Sequence, residues 1–167
     1  MTKEKNPQQL QITLVVLGVH VIISFIMLLI YGSGIPMFGF IISLPLALQV
    51  LLTSIIVLIV YSLAGYLLGV STPNKESLVA SIDKAVLLLM LILLSAFIII
   101  YAVTYFTNNS SLWIFYNVLN PIFGNVMLDG LTRSWWSLMW VVSAFIPGIG
   151  IVFGLSLRMR QEGIDFK

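Results

Sequence analysis

Composition, long uncharged runs and a lopsided distribution of lysine and arginine predict an all-α integral membrane protein. The expected architecture is four transmembrane helices, with an outer-leaflet interfacial or re-entrant segment between the third and the fourth. The 167 residues are 60% hydrophobic and 8% charged, with a mean hydropathy of +1.11, whereas a soluble domain carries about a quarter charged residues. A chain of this length suits one polytopic membrane domain, residues 1–167, with no separately folded soluble part. Its net charge of +2, carried in short flanks, does not make a nucleic-acid surface; lipid headgroups are the natural partners of those flanks. The absence of cysteine removes disulfides, thiolate metal sites and cysteine nucleophiles together.

The clearest span lies at 85–106. After Lys84 the run AVLLLMLILLSAFIIIYAVTYF carries no charge, and at about 1.5 Å per residue it covers the ~30 Å hydrocarbon core of a bilayer. A spanning segment must satisfy its backbone polar groups internally, so the β-branched Ile98, Ile99 and Ile100 do not make it a strand. Ahead of it, Met1–Gln9 reads as a polar tail with Lys3, Glu4, Lys5 and Pro7, followed by a first span at 10–31. That span is longer than a signal peptide's apolar region of about 7–15 residues, so an uncleaved helix is expected. Residues 32–45 hold glycines and prolines and should turn the chain back; the second span follows at 46–70, with Tyr61 and Tyr66 suited to the headgroup zone. Ser71, Thr72, Pro73 and Asn74 stop it, and 75–84 is a charged, amphipathic lead into the third span.

Beyond the polar turn Thr107–Ser111, the segment 112–128 is apolar but interrupted by Asn117, Asn120, Pro121, Gly124 and Asn125, a poor span. Its two readings are a re-entrant loop, or an interfacial helix with asparagines toward water and Trp113, Phe115 and Phe123 toward lipid; the second is favoured. Asp129 and Arg133 make an opposite-charge pair at helical spacing. The last span, 134–157, contains Pro147 and Gly148 as a kink. Four spans place Lys3, Lys5, Lys75, Lys84, Arg158, Arg160 and Lys167 inside and leave only Arg133 outside, whereas five would move the C-terminal cations outside and weaken that asymmetry. The expected location is a bacterial cell membrane, with both termini cytoplasmic.

Chemistry-bearing residues are few. His20 sits at the middle of the first span with Ser24 one turn on, and an ionisable group at that depth is a functional candidate by default. The favoured alternative is a neutral imidazole bonded to Thr53, Ser54 or Ser95 of a neighbouring helix, since no span holds the Asp or Glu that a proton relay needs. Gln49 and Thr53 share a face of the second span and complete the candidate binding set. The repeated spacing Gly65-x-x-x-Gly69-x-Ser71 and Gly150-x-x-x-Gly154-x-Ser156 predicts that the second and fourth spans pack face to face, running in the same direction. Asn108 and Asn109 each start an Asn-x-Ser tripeptide, a glycosylation acceptor only in a eukaryotic secretory pathway. No hydrolase, metalloprotease or phosphate-loop motif is present, and no metal or cofactor is implied. The expectation is a non-enzymatic accessory, assembly or protective partner of another membrane protein; the alternative is a protomer of a small homo-oligomeric channel or transporter.

Overall fold

The structure, a computed structural model, describes residues 7–32, 40–41, 43–69, 75–120 and 135–163. Four of its helices are long and apolar enough to cross a membrane, at Gln8–Ile30, Ala47–Leu68, Ser77–Thr107 and Ser137–Gln161, and no strand occurs among the described residues. The tail before Pro7, the turn at 33–39, the stop at 70–74, the segment's second half at 121–128, and Asp129 with Arg133 lie outside the described residues.

Helix α1 (Pro7–Gly32) opens on a proline, which in a first turn lacks only an N–H that the helix would not have used. Helix α2 (Leu46–Leu68) starts at Pro45, whose carbonyl accepts from the N–H of Leu48 at 2.9 Å and of Gln49 at 3.1 Å. Helix α3 (Lys75–Thr107) joins the expected amphipathic lead and third span into one helix of 33 residues. No glycine or proline interrupts that stretch, so nothing separates the two parts. It stops where Asn108 takes a φ of 55°, a left-handed conformation that asparagine tolerates at a helix end. Asn109 then caps a 3-10 turn, Ser110–Leu112, its Oδ1 accepting from the Ser111 N–H at 3.1 Å. Helix α4 (Trp113–Leu119) follows without a break. The last long element begins as 3-10 helix over Trp135–Val141 and continues as α5 (Val142–Gln161), four residues past the expected end. Arg158 and Arg160 sit in its last turn, where the helix dipole favours cations.

The first two long helices are consecutive in sequence but not neighbours in space. α1 packs on α3, α3 on α5 and α5 on α2, while α1 and α2 scarcely meet. α5 is the centre of the bundle: 56% of its apolar window is buried, against 17% for α2, which turns Leu51, Ile55, Ile59, Leu63 and Leu67 outward.

The α2–α5 contact is made by glycines. A Cβ on Gly65 would overlap the Ile151 carbonyl, and one on Gly154 would overlap the Ser62 carbonyl; Gly150 lies against the Tyr61 Cβ and Gly69 under the Arg158 side chain. The pairs 61–150 and 69–158 advance together, so the helices run parallel. Backbone touches backbone here, and the gain is dispersion contact along the seam. Gly18 of α1 is the contrast, with open space where its Cβ would stand. Substituting Gly154 by Leu must therefore push α5 off α2, and a cost of about 1–3 kcal/mol or more is expected. Gly18→Ala should instead stabilise by roughly 0.5–1 kcal/mol, because a helical glycine is replaced without a clash. Melting curves in detergent for both variants check the pair: a lower transition for the first and a slightly higher one for the second.

Candidate functional site

His20 is the fourteenth of the 26 residues of α1 and is 4% exposed. Its Nε2 lies 3.0 Å from the Leu119 carbonyl oxygen, and its Nδ1 lies 2.7 Å from the Tyr61 hydroxyl. A carbonyl can only accept, so Nε2 carries the proton and Nδ1 of the neutral ring accepts from the phenol. One side chain of α1 thus holds α2 by a side chain and α4 by its main chain. Leu119 is the last residue of α4, and its carbonyl is one that the helix itself cannot use. Ser24 is buried beside Tyr61, but its Oγ makes no hydrogen bond of acceptable geometry.

A second set of bonds grips α4 from the side of α5. Pro147 has no N–H, which leaves the Ser143 carbonyl, four residues back, without its helical donor. Asn120 supplies one: its Nδ2 donates to the Ser143 carbonyl at 2.9 Å and to the Tyr116 hydroxyl at 3.0 Å. Ser143 Oγ donates to the Trp140 carbonyl at 2.7 Å, so the 2.8 Å bond between Tyr116 and Ser143 runs from the phenol to the serine. Asn120, Tyr116 and Ser143 have no solvent exposure at all. Above them Phe97 of α3 packs between Trp113, with ring centres 5.2 Å apart, and the edge of Tyr116 at 5.3 Å.

This arrangement corrects several expectations. The partners of His20 are Tyr61 and a backbone carbonyl, not Thr53, Ser54 or Ser95; Ser95 is exposed on α3. Tyr61 is wholly buried and bonded to the midpoint of α1 instead of standing at a helix end. Trp113, Asn117 and Asn120 turn into the protein, where an interfacial helix would have turned the asparagines to water; Phe115 does face outward. Gln49 Nε2 donates to the Leu44 carbonyl at 2.6 Å, and Thr53 is buried on α2 two turns before Tyr61. Sequence reasoning missed Tyr61, Tyr116 and Ser143. Two signals were present. Residues 113, 116, 117 and 120 recur at helical spacing as one stripe, and a proline within a helix announces a carbonyl four residues earlier that needs a donor.

As chemistry, the cluster is a neutral hydrogen-bonded network around His20 and Asn120, while Trp113 Nε1, Asn117 Oδ1 and Asn120 Oδ1 are buried without a hydrogen bond among the described residues. Both His20 nitrogens are engaged, so any metal or haem ligation would first have to break a bond to Tyr61 or Leu119. Among the described residues no group of three His, Asp or Glu side chains converges on a metal-sized space. No protein-family model matches the chain, and no curated protein or solved structure is significantly similar to it.

Asn120 and Pro147 should be energetically coupled. Asn120→Leu leaves the Ser143 carbonyl and the Tyr116 hydroxyl without their donor, a loss of about 1–3 kcal/mol. Pro147→Ala gives the Ser143 carbonyl a helical N–H again, so the double variant should lose less than the two single losses added together. A double-mutant cycle on thermal or denaturant unfolding in detergent measures the difference; strict additivity would show that Asn120 does not serve the carbonyl freed by Pro147.

Proposed function

We propose that this chain crosses a bacterial cell membrane four times with both termini cytoplasmic, and acts without catalysis as an accessory, assembly or protective partner of another membrane protein. What supports this is the engagement of His20. The chain's one histidine, at the middle of a span, has both nitrogens bonded within the chain, in the pattern of a structural residue and not of a proton carrier. The polar groups around it likewise tie helices to one another, and the outward faces of α1, α2 and α3 are apolar. A protein built this way offers its partner packed helix faces instead of a reactive group.

Within the same topology, residues 110–120 are a re-entrant half-helix. The 3-10 turn and α4 together rise roughly 16 Å, about half the hydrocarbon thickness. Their far end meets His20 at the middle of α1, which supports entry from the outer side and a stop at mid-depth. That feature also favours a second reading, a protomer of a small homo-oligomeric channel or transporter, since transporters build substrate sites where a helix breaks at the midplane.

Purification in mild detergent separates the two. A foreign membrane protein copurifying in fixed ratio is the expected result; a symmetric homo-oligomer that passes ions or solutes in liposomes would overturn it. Single cysteines in this cysteine-free chain test the topology: position 109 should react with an impermeant thiol reagent on intact cells, while 117 should stay protected and 75 should react only after permeabilisation. His20→Gln keeps a donor and an acceptor, so partner association should change by no more than about 0.6 kcal/mol, the average worth of a hydrogen bond between membrane helices. Loss of activity in a normally folded His20→Gln protein would make His20 a pathway residue.

A further inference from the structure

We propose that a cleft at the charged end of the bundle holds one acyl chain of a membrane phospholipid, a binding site that rests on the membrane-spanning reading but not on the accessory role. The cleft, of about 380 Å³, opens where α1 and α2 fail to meet. Ile12, Val15 and Val16 of α1, Leu68 of α2, and Leu78 and Ile82 of α3 line it. Val16, Leu78 and Ile82 are buried, so the floor lies deep in the fold. Gln8 and Gln11, in the first turns of α1, supply polar lining only toward the helix ends. From Gln8 to Val16 the helix rises about 12 Å, so the lining passes from polar to apolar with depth, as a lipid does below its headgroup.

The cleft is open between α1 and α2, and under the membrane-spanning reading the medium at that depth is acyl chain, so an apolar tail is what its apolar lining receives. Every charged residue among the described ones lies at this same end: Lys75, Glu76, Asp83 and Lys84 on α3, and Arg158, Arg160 and Glu162 at the end of α5. Among them Lys84 and Arg160 are exposed, whereas Arg158 is paired with Glu162, and an exposed cation suits the phosphate of a headgroup. Gln9 Nε2 bonds the Ser81 carbonyl at 3.1 Å and holds α1 to α3 along one wall, so the space does not close by collapse of those two helices.

The full chain, extracted in mild detergent and analysed by native mass spectrometry, should retain one phospholipid after the loosely held lipids are stripped. Val15→Trp, which fills the cleft from a half-exposed position, should lose that lipid, while Leu51→Trp on the outward stripe of α2 should keep it. A phospholipid carrying a photoreactive group in its acyl chain should crosslink to the peptides containing 8–16 and 78–82. Retention by Val15→Trp equal to the parent, a lipid-free parent, or crosslinks spread evenly over the α2 stripe would overturn the proposal. If the chain were extracted without detergent, the membrane reading itself would fail, an outcome that is distinguishable from all three.

Discussion

The close approach of α2 and α5 along their glycines is the constraint on which the rest of the bundle depends. Gly65, Gly150 and Gly154 let main chain meet main chain, and that contact fixes the register of two helices that are far apart in sequence. Gly150 lies against the Cβ of Tyr61, so the same seam decides where the Tyr61 ring is directed. Its hydroxyl then reaches His20 of α1, and His20 reaches the end of α4. A helix that α2 hardly touches along its length is thereby connected to it at one point, by a polar bond in an apolar setting. The seam acts through dispersion and the bond through desolvated polarity. In the proposed membrane setting these are the forces available, because lipid tails leave no hydrophobic incentive for one apolar helix to prefer another.

The position of α4 follows from a deficit and its remedy. Pro147 removes one donor from the second turn of α5, the most enclosed of the four long helices, and the end of α4 has a carbonyl of its own to satisfy. Asn120 answers the first need from α4's end, and His20 of α1 answers the second at the carbonyl of the preceding residue, Leu119. Neither group could be left bare inside the protein without losing about the full desolvation cost of a buried polar atom. The aromatic packing of Phe97, Trp113 and Tyr116 covers the pair and keeps water from competing for it. What looks in sequence like an interrupted apolar segment is, in the fold, a short helix from which Tyr116 and Asn120 bond to Ser143 of α5.

That matching bears on function. A transport pathway needs polar groups that can exchange partners as a substrate passes, whereas His20, Tyr61, Tyr116 and Asn120 are each directed at a specific intrachain atom. The proposed accessory role takes the network as internal scaffolding and assigns recognition to helix faces. The channel alternative takes the end of α4 as a seat that opens. The two differ in whether the bonds to Leu119 and Ser143 persist while the protein works.

The sequence by itself determined the class of fold and much of its detail: four long apolar helices, no charge between Lys84 and Asp129, and two glycine spacings that match. Those properties are periodic or compositional, and each can be read within a single segment. Tertiary structure alone decided which polar atoms meet. His20 is 41 residues from Tyr61 and 99 from Leu119, and no local pattern selects such partners over the nearer Thr53 or Ser54. The same holds for α4. Its stripe of Trp113, Tyr116, Asn117 and Asn120 is visible in sequence, but whether that stripe faces water or protein depends on a carbonyl freed by Pro147, in a helix that must first be in place. Uncharged length sets the spans because the solvent is the same for every one of them. The polar contacts stay undecided until packing brings together, at atomic distance, the donors and acceptors that each helix leaves over.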